Sequence, residues 1–258
     1  MDFSFNEIQA MLDDSIEKFI ANDYDFETRQ QYAASEKGYS PEVWQTFAEL
    51  GWTSVPFGEE DGGFGGGPAD LMVLMLRVGK GLVVEPYLAN IVLAGGVLRR
   101  AASAEQKERW LQPIIAGELQ AALAYAEPQS RYDIADIRTT ASADGDNWML
   151  SGSKSVVFNG GSADLLIVPA RTAGAQNDTD GITLFALPAD SNGLKVRSYP
   201  TVDGQQAAEI SFDKLAVDGA SVIGEAGKGF AALDAAIDDA TLAVCAEAVG
   251  IMQVMTDK

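Results

Sequence analysis

The spacing of apolar residues changes twice along the chain, and this limits the folds that the chain can adopt. Up to residue 118 apolar side chains recur every three or four positions, which places them on one face of a helix. Between residues 119 and 226 they form short runs separated by clusters of Gly, Asn and Asp, a pattern typical of strands and turns. The helical spacing then returns. We therefore predict a helical domain at 1–118, a β domain at 119–226 and a helix at 227–258.

The β part is predicted to contain seven short strands with no helical pattern between them. They lie at residues 121–125, 148–151, 155–158, 165–168, 182–186, 194–198 and 208–212. A parallel doubly wound sheet needs helices between its strands and is disfavoured. Many short strands joined by turns favour an antiparallel sandwich or barrel. The predicted fold class is α+β and multidomain: an N-terminal helical domain, a middle antiparallel β-barrel domain and the start of a C-terminal helical bundle.

Signals for the start of a helix occur at three places in the first part. Ser4 with Glu7, and Ser103 with Gln106, each have the spacing of a capping box. Ser40 precedes a proline, a combination that is favoured where a helix begins. We expect a helix to begin after each of these three serines.

The last predicted helix carries a long apolar stripe. The stripe consists of Phe230, Leu233, Ile237, Val244, Ala248, Ile251 and Met255. A long helix with such a stripe usually packs in a bundle. Because no later helix follows in this sequence, we expect either that a partner chain covers the stripe or that the chain is incomplete.

Composition excludes several functional classes. The chain has 38 acidic and 18 basic residues, a formal net charge of −20 and no histidine. Nucleic acids and anionic membranes bind basic surfaces, so neither is an expected partner. Without histidine there is no Ser-His-Asp or Cys-His catalysis and no histidine metal site, and we predict no metal.

The expected location is the cytoplasm. One cysteine, Cys245, cannot form an internal disulfide, which fits a reducing compartment. No basic leader follows Met1, and the most apolar stretch, 71–76, is far shorter than the about 20 residues of a membrane span.

Two features allow two interpretations each, and a third, the lone cysteine, has one expected role. The glycine-rich loop at 62–67 suggests a phosphate cradle, but it lacks the P-loop pattern, which favours a flexible surface loop. Glu127, Asp133 and Asp136 are candidate paired carboxylates for acid–base chemistry, or members of a solvated loop. Cys245 lies on the apolar side of the last helix and is expected to be a small core residue.

Five motifs, taken in chain order, are similar to those of one enzyme family. They are Glu49-Leu-Gly-Trp with Pro56-Phe-Gly-Glu-Glu-Asp-Gly-Gly-Phe-Gly, Trp110-Leu-Gln-Pro-Ile-Ile-Ala-Gly-Glu-Leu, Ala124-Tyr-Ala-Glu-Pro, Gly152-Ser-Lys-Ser-Val-Val-Phe-Asn-Gly-Gly and Ala246-Glu-Ala-Val-Gly. Each motif is weak alone, but their order agrees with the helical, β and helical parts. The chain resembles the acyl-CoA dehydrogenase family.

The resemblance implies an oxidoreductase that acts on CH–CH donors. Members bind FAD between the middle domain and the C-terminal bundle and dehydrogenate an acyl-CoA thioester between Cα and Cβ. A glutamate takes the α-proton, and hydrogen bonds to the thioester carbonyl stabilise the developing charge. The resemblance also implies electron-transfer flavoprotein as a partner, a homo- or hetero-oligomer (dimer or tetramer), and catabolism of fatty acids, dicarboxylates or steroid side chains.

By resemblance, the cofactor-binding residues are Tyr125, Ala126, Val156, Val157 and Phe158. Ala126 and Phe158 each stand where the family has a flavin-contacting threonine, and Val156 replaces a tryptophan that covers the flavin. The backbone N–H of Ala126 remains able to bond the flavin ring.

The substrate-binding residues implied by the resemblance are Tyr132, Asp133, Asp238 and Thr241. Tyr132 replaces the serine of the family motif, whereas Asp133 keeps its aspartate. No residue matches a family base, so the base is expected beyond Lys258 and the 258-residue chain is expected to be inactive alone.

The departures from the family pattern leave two main functions open. The chain is either a divergent dehydrogenase that holds FAD through backbone groups, or a degenerate partner or scaffold subunit, such as the small subunit of a heteromeric acyl-CoA dehydrogenase. Oxidation of an acyl-carrier-protein ester or a nitroalkane is a remaining possibility.

Overall fold

Eight α-helices, two π-helical segments and three short 3₁₀ helices form the helical parts of the described chain. A computed structural model describes residues 4–257; Met1, on which the leader prediction depends, and Lys258 lie outside them. The helices are α1 (Glu7–Asp23), α2 (Phe26–Ala33), α3 (Pro41–Glu49), α4 (Pro68–Gly81), α5 (Gly96–Ala101), α6 (Ala104–Gln106), α7 (Gln112–Ile115) and α8 (Phe230–Thr256), with π-helical segments at Leu88–Gly95 and Lys107–Leu111. None of the helices in this range is long and apolar enough to cross a membrane.

Two of the three predicted helix starts are confirmed. The Ser40 hydroxyl accepts the Val43 N–H at 3.2 Å, and Ser103 forms a capping box with Gln106. The first prediction is displaced by two residues: the N-cap of α1 is Asn6, whose side chain accepts the Gln9 N–H at 2.8 Å. Asparagine caps a helix as well as serine does, and the Gln9 side chain completes the box.

Aromatic side chains fill the centre of the helical part. Phe19, Phe47 and Trp52 are all buried or half-buried, with ring centroids 4.8 to 5.6 Å apart. Such edge and tilted contacts add to the free energy of burial. Residues of α8, among them Leu233 and Ala236, belong to the same buried cluster, so α8 packs directly onto the N-terminal helices.

The buried face of α8 differs from the predicted apolar stripe. Its buried residues are Leu233, Ala236, Ala240, Ala243, Ala246 and Gly250. Larger members of the predicted stripe, Val244 and Met255, are exposed, and so is Cys245. The prediction of Cys245 as a core residue is therefore wrong, because small residues face the closely packed α4 and the larger ones face outward.

The β part is a mixed eight-stranded sheet. Its strands are β1 (Ala121–Leu123), β2 (Thr140–Asp144), β3 (Asn147–Phe158), β4 (Leu165–Arg171), β5 (Ile182–Pro188), β6 (Leu194–Pro200), β7 (Gln206–Val217) and β8 (Val222–Ile223). The order is β6-β7-β3-β2-β4-β5-β8, with β1 paired to β4.

The predicted antiparallel β-barrel is wrong in two respects. The pairing of β1 with β4 is parallel, as is the contact of β2 with β4 at Thr140 and Arg171, because β1 and β2 lie one after the other along the same edge of β4. The strand order also ends at β6 on one side and β8 on the other, so the sheet is open rather than closed.

The sheet buries residues on both faces. On β4, Leu165 and Ile167 belong to the cluster shared with the helices, whereas Leu166 and Val168 belong to a second cluster formed with β3 and β7. A strand that is covered on both faces has a continuous apolar run, as β4 has. The sheet thus carries the helical part on one face and its own second core on the other.

Three features of the β part were not predicted, and one of them is the two-residue strand β8. The predicted strands 148–151 and 155–158 are one strand, β3, which is interrupted by two register shifts against β7. Strand β2 was missed because four of its five residues are exposed and it carries no apolar run.

Candidate functional site

Two of the predicted cofactor segments lie side by side. Residues 125–128, here the β1 loop, follow β1, and residues 156–158, here the β3 end, close β3. The Ser155 N–H, directly before the β3 end, donates to the Ala126 carbonyl at 2.9 Å. The fold therefore brings together the five residues predicted for the cofactor.

The β3 end is a β-bulge. The register against β7 shifts between Lys154 and Val157, and Val156 has a φ of +51°. A β-branched residue rarely adopts this left-handed conformation, so the bulge stores local strain, a feature that clusters at functional sites. As a consequence the Val156 side chain is exposed while that of Val157 is buried.

The β1 loop and the β3 end offer an apolar surface with few donors. Tyr125 and Phe158 are half-buried against the core cluster shared with the helices, and burial raises the pKa of the Tyr125 phenol. Within residues 4–257 neither the Ala126 N–H nor the Tyr125 hydroxyl forms a hydrogen bond. These two donors are thus available to a bound group.

Glu127 is held by four donors. Its Oε1 accepts Lys154 Nζ at 2.7 Å and the Thr139 N–H at 3.1 Å. Its Oε2 accepts the Arg138 N–H at 2.8 Å and Gln129 Nε2 at 2.9 Å. Lys154 is fully buried and Glu127 nearly so.

The charge state of this pair follows from its surroundings. Burial alone raises the pKa of Glu127, but the Lys154 ammonium and the hydrogen bonds outweigh burial and lower the pKa to about 2. Burial lowers the pKa of Lys154, and the Glu127 charge opposes that shift. At neutral pH Glu127 is therefore a carboxylate, and Lys154 is its ion-pair partner at 2.7 Å.

Neither interpretation of the three carboxylates describes Glu127. It lies in an ion pair, not in a solvated loop, and its lone pairs are already used. Asp133 is exposed, and Asp136 accepts the side-chain amide of Gln176 at 2.5 Å. No local signal in the sequence marks this pair, because a charged residue in a loop or a strand is usually exposed.

The predicted substrate residues form two separate pairs. Tyr132 is fully exposed on the loop after Pro128, and Asp133 accepts Asn177 Nδ2 at 3.0 Å. On α8, Asp238 and Thr241 are exposed, and the Thr241 hydroxyl donates to a carbonyl of its own helix. No hydrogen bond or ion pair among residues 4–257 joins the two pairs.

Arg171 holds the base of the loop that carries Tyr132. Its guanidinium donates to the carbonyls of Ala135 and Gln176 at 2.9 Å and of Asp180 at 3.0 Å. The side chain is buried at the end of β4. An arginine that ends an apolar strand was a signal for this role that the sequence analysis did not use.

The glycine-rich loop at 62–67 uses its own N–H groups. The Gly63 N–H donates to the Gly58 carbonyl at 2.9 Å, and the Gly66 N–H donates to the Val55 carbonyl at 2.9 Å. Gly62 and Gly65 have φ values of +81° and +76°, which suit glycine. These N–H groups are unavailable to a phosphate, so the surface-loop interpretation is favoured.

Comparisons with known proteins agree with this architecture. The sequence profile described as "Acyl-CoA dehydrogenase, N-terminal domain" matches residues 6–118, and that described as "Acyl-CoA dehydrogenase, middle domain" matches residues 122–215. The acryloyl-CoA reductase (NADH) of Anaerotignum propionicum is 29% identical over 259 residues, which cover 98% of this chain and 65% of that protein.

Two solved structures show the same fold. Butyryl-CoA dehydrogenase from Megasphaera elsdenii has a TM-score of 0.88 at 27% identity, covering 98% of this chain and 68% of that one. PigA with FAD and proline has a TM-score of 0.90 at 26% identity, covering 100% of this chain and 68% of that one. This chain therefore spans about two thirds of the length of these three proteins. With both profiles matching in order, the chain belongs to the acyl-CoA dehydrogenase family.

Proposed function

We propose that this chain takes part in the FAD-dependent α,β-dehydrogenation of an acyl-CoA thioester, with the flavin ring against the β1 loop and the β3 end. The observation that supports this most directly is the hydrogen bond from Ser155 to Ala126, because it joins the two predicted flavin segments into one surface.

The groups on this surface fit a flavin. A flavin ring has acceptor atoms along its edge and two apolar faces, so it needs a few fixed donors and flat or aliphatic contacts. The Ala126 N–H and the Tyr125 hydroxyl are free donors, and Phe158 and Val156 are apolar. The hydroxyls that the family places at positions 126 and 158 are absent here, so we propose that backbone groups carry most of the polar contact.

The residues of this chain would orient the reactants and exclude water. FAD, when bound, supplies the acceptor for the hydride that leaves the substrate Cβ. Ala126 would bind the flavin through its backbone N–H, and Phe158 would cover apolar surface that water otherwise reaches. Tyr132 and Asp133 on one side, and Asp238 and Thr241 on the other, are proposed to contact the acyl-CoA.

No residue among 4–257 is proposed as the catalytic base. Glu127 is the buried carboxylate of the β1 loop, but it is ionised, paired with Lys154 and saturated with donors. A base must be within hydrogen-bond reach of the proton it removes and free to accept it. Glu127 therefore cannot serve as the base, and the family resemblance implies that another residue does.

The partners and organisation are proposals as well. Electron-transfer flavoprotein is proposed as the electron acceptor, and a dimer or tetramer with identical or different subunits as the assembly, in the cytoplasm. We propose the domains 1–118, 119–226 and 227–258 for the helical, β and C-terminal parts, with α8 as the first helix of a bundle.

A second candidate is a partner subunit with a degenerate site. It is favoured by one observation: three of the five predicted cofactor residues, Ala126, Val156 and Phe158, depart from the family pattern at the same surface. In such an assembly the other subunit would supply the missing side chains.

Purification and a dye-reduction assay separate these candidates. If the purified protein is yellow and reduces a dye when an acyl-CoA is added, the dehydrogenase proposal is supported and the expected inactivity of the chain alone is wrong. If it is yellow but inactive, it binds flavin and needs a further base. If it is colourless and gains flavin only with a second polypeptide, the partner-subunit candidate is supported.

A further inference from the structure

We propose that the buried ion pair of Glu127 and Lys154 is a positioning element that holds the β1 loop, the β3 end and the substrate loop (residues 129–137) in one arrangement. This inference rests on the proposed flavin site, because it assigns a purpose to the geometry of that site. Neither residue touches the flavin surface through its charged atoms, so both are positioning residues rather than catalytic ones.

The first step is the position of the pair between the two flavin segments. Glu127 belongs to the β1 loop and follows Ala126 directly. Lys154 lies two residues before Val156, at the register shift that begins the bulge. The 2.7 Å contact between Lys154 Nζ and Glu127 Oε1 therefore links the two segments through side chains, in parallel with the backbone bond from Ser155 to Ala126.

The second step concerns the substrate loop. Glu127 Oε2 accepts the Arg138 N–H and Gln129 Nε2, and Oε1 accepts the Thr139 N–H. These donors stand at the two ends of residues 129–139, the stretch that carries Tyr132 and Asp133. One carboxylate thus closes the loop on which the proposed substrate residues lie.

The third step is energetic. A buried ion pair is a poor way to gain stability, because both charges lose their hydration and an apolar pair of similar volume often serves as well. Its geometric demand is strict, since neither charge can move without losing its partner. The strain at Val156, with φ +51°, also requires surrounding contacts that hold it in place. The strict geometry of the ion pair and the strain at Val156 both favour a role of the pair in positioning these segments.

The test uses the purified protein and the variants Lys154→Met, Glu127→Gln and the double variant. Asp13→Asn is the matched control, because Asp13 pairs with Arg77 at 2.6 Å between α1 and α4, away from the flavin surface. FAD affinity is measured by quenching of flavin fluorescence. Amide hydrogen exchange of the apoprotein is measured over residues 124–139 and 155–160.

We expect Lys154→Met and Glu127→Gln each to weaken FAD binding at least tenfold and to speed exchange in both segments. The double variant should match the worse single variant rather than multiply the two effects, because both remove one interaction. Asp13→Asn should lower the unfolding temperature while FAD affinity stays within twofold. Equal changes in FAD affinity for Lys154→Met and Asp13→Asn, with exchange unchanged at 124–139 and 155–160, would overturn the proposal.

The hydrogen-exchange measurement distinguishes a failure of the proposed flavin site from a failure of the proposed positioning role. If the unaltered protein binds no FAD, flavin binding by this chain fails, but exchange still reports whether the pair couples the segments. If Lys154→Met does not fold, Glu127→Gln is the deciding variant, since its single amide oxygen still accepts one of the two backbone N–H groups. Faster exchange in only one of the two segments counts against the coupling.

Discussion

Gly79 of α4 lies against the backbone carbonyl of Glu247 in α8, so close that a methyl group at Gly79 would overlap the Glu247 oxygen. The reciprocal contact is formed by Gly250, where a methyl group would overlap the Leu76 carbonyl. Two glycines thus allow the two helices to cross with their backbones nearly touching.

The crossing predicts that Gly79→Ala destabilises the protein. Alanine improves helix propensity by about 1 kcal/mol, but overlap with a backbone carbonyl cannot be relieved by a rotamer change and typically costs about 1–3 kcal/mol. We therefore expect a lower urea midpoint for Gly79→Ala. Gly96→Ala is the control, because Gly96 is also helical and faces α8, but a methyl group there would lie 3.4 Å from both the Ala236 Cβ and the Arg100 side chain and would overlap neither. If both variants were equally stable, the close crossing would not exist in solution.

The second prediction concerns acid stability. The pKa of Glu127 is lowered from 4.5 to about 2, so between these values the unfolded chain binds a proton that the folded chain does not. Stability must then fall as pH drops through this window, by up to about 3 kcal/mol at 1.36 kcal/mol per pKa unit. Urea unfolding at a series of pH values should show a flatter profile for Glu127→Gln than for the unaltered protein. An unchanged slope below pH 4.5 would contradict this assignment.

The third prediction is that the contribution of Glu85 to stability has the opposite pH dependence. It is buried, accepts the Tyr24 hydroxyl at 2.5 Å and the Ser40 N–H at 3.3 Å, and burial raises its pKa above 4.5 despite these bonds. A raised pKa means that its contribution to stability is present at low pH and is lost as pH rises through the folded value. The stability of Glu85→Gln relative to the unaltered protein should therefore increase from pH 4.5 upward. Glu59→Gln, on the exposed surface, is the control and should show no such trend.

The fourth prediction concerns Phe158. Threonine at this position would restore a hydroxyl to the proposed flavin surface, and one hydrogen bond contributes about 0.5–1.5 kcal/mol, or roughly a two- to tenfold change in affinity. We expect Phe158→Thr to bind FAD more tightly, although lost packing against the helical core will lower the unfolding temperature. Phe158→Val, which lacks the hydroxyl, is the control. Equal FAD affinity for the two variants would remove the proposed role of this position.

Local signals in the sequence predicted most of the elements. Ser40 and Ser103 begin their helices because capping depends on three or four neighbouring residues and needs no distant partner. The change from helical to strand spacing at residue 119 is similarly local, and the motifs that identify the family are short and contiguous. The five cofactor residues could be named for this reason, since they fall in two such motifs.

Long-range pairing could not be predicted in the same way. Whether β1 runs parallel or antiparallel to β4 depends on the path of the 41 residues between them, and the periodicity of either strand does not reveal that path. The same holds for Glu127, whose charged side chain is typical of a surface loop until Lys154 is placed beside it.

Helix α8 shows most clearly which features the sequence determined and which the tertiary structure decided. The sequence by itself determined that residues 230–256 form a helix with apolar positions, because helical spacing and the absence of internal proline are enough. Only the tertiary structure decided which face is buried. The nearby backbone of α4 leaves room for Ala243, Ala246 and Gly250, so Val244 and Cys245 turn outward although they are more apolar than the glycine that is buried.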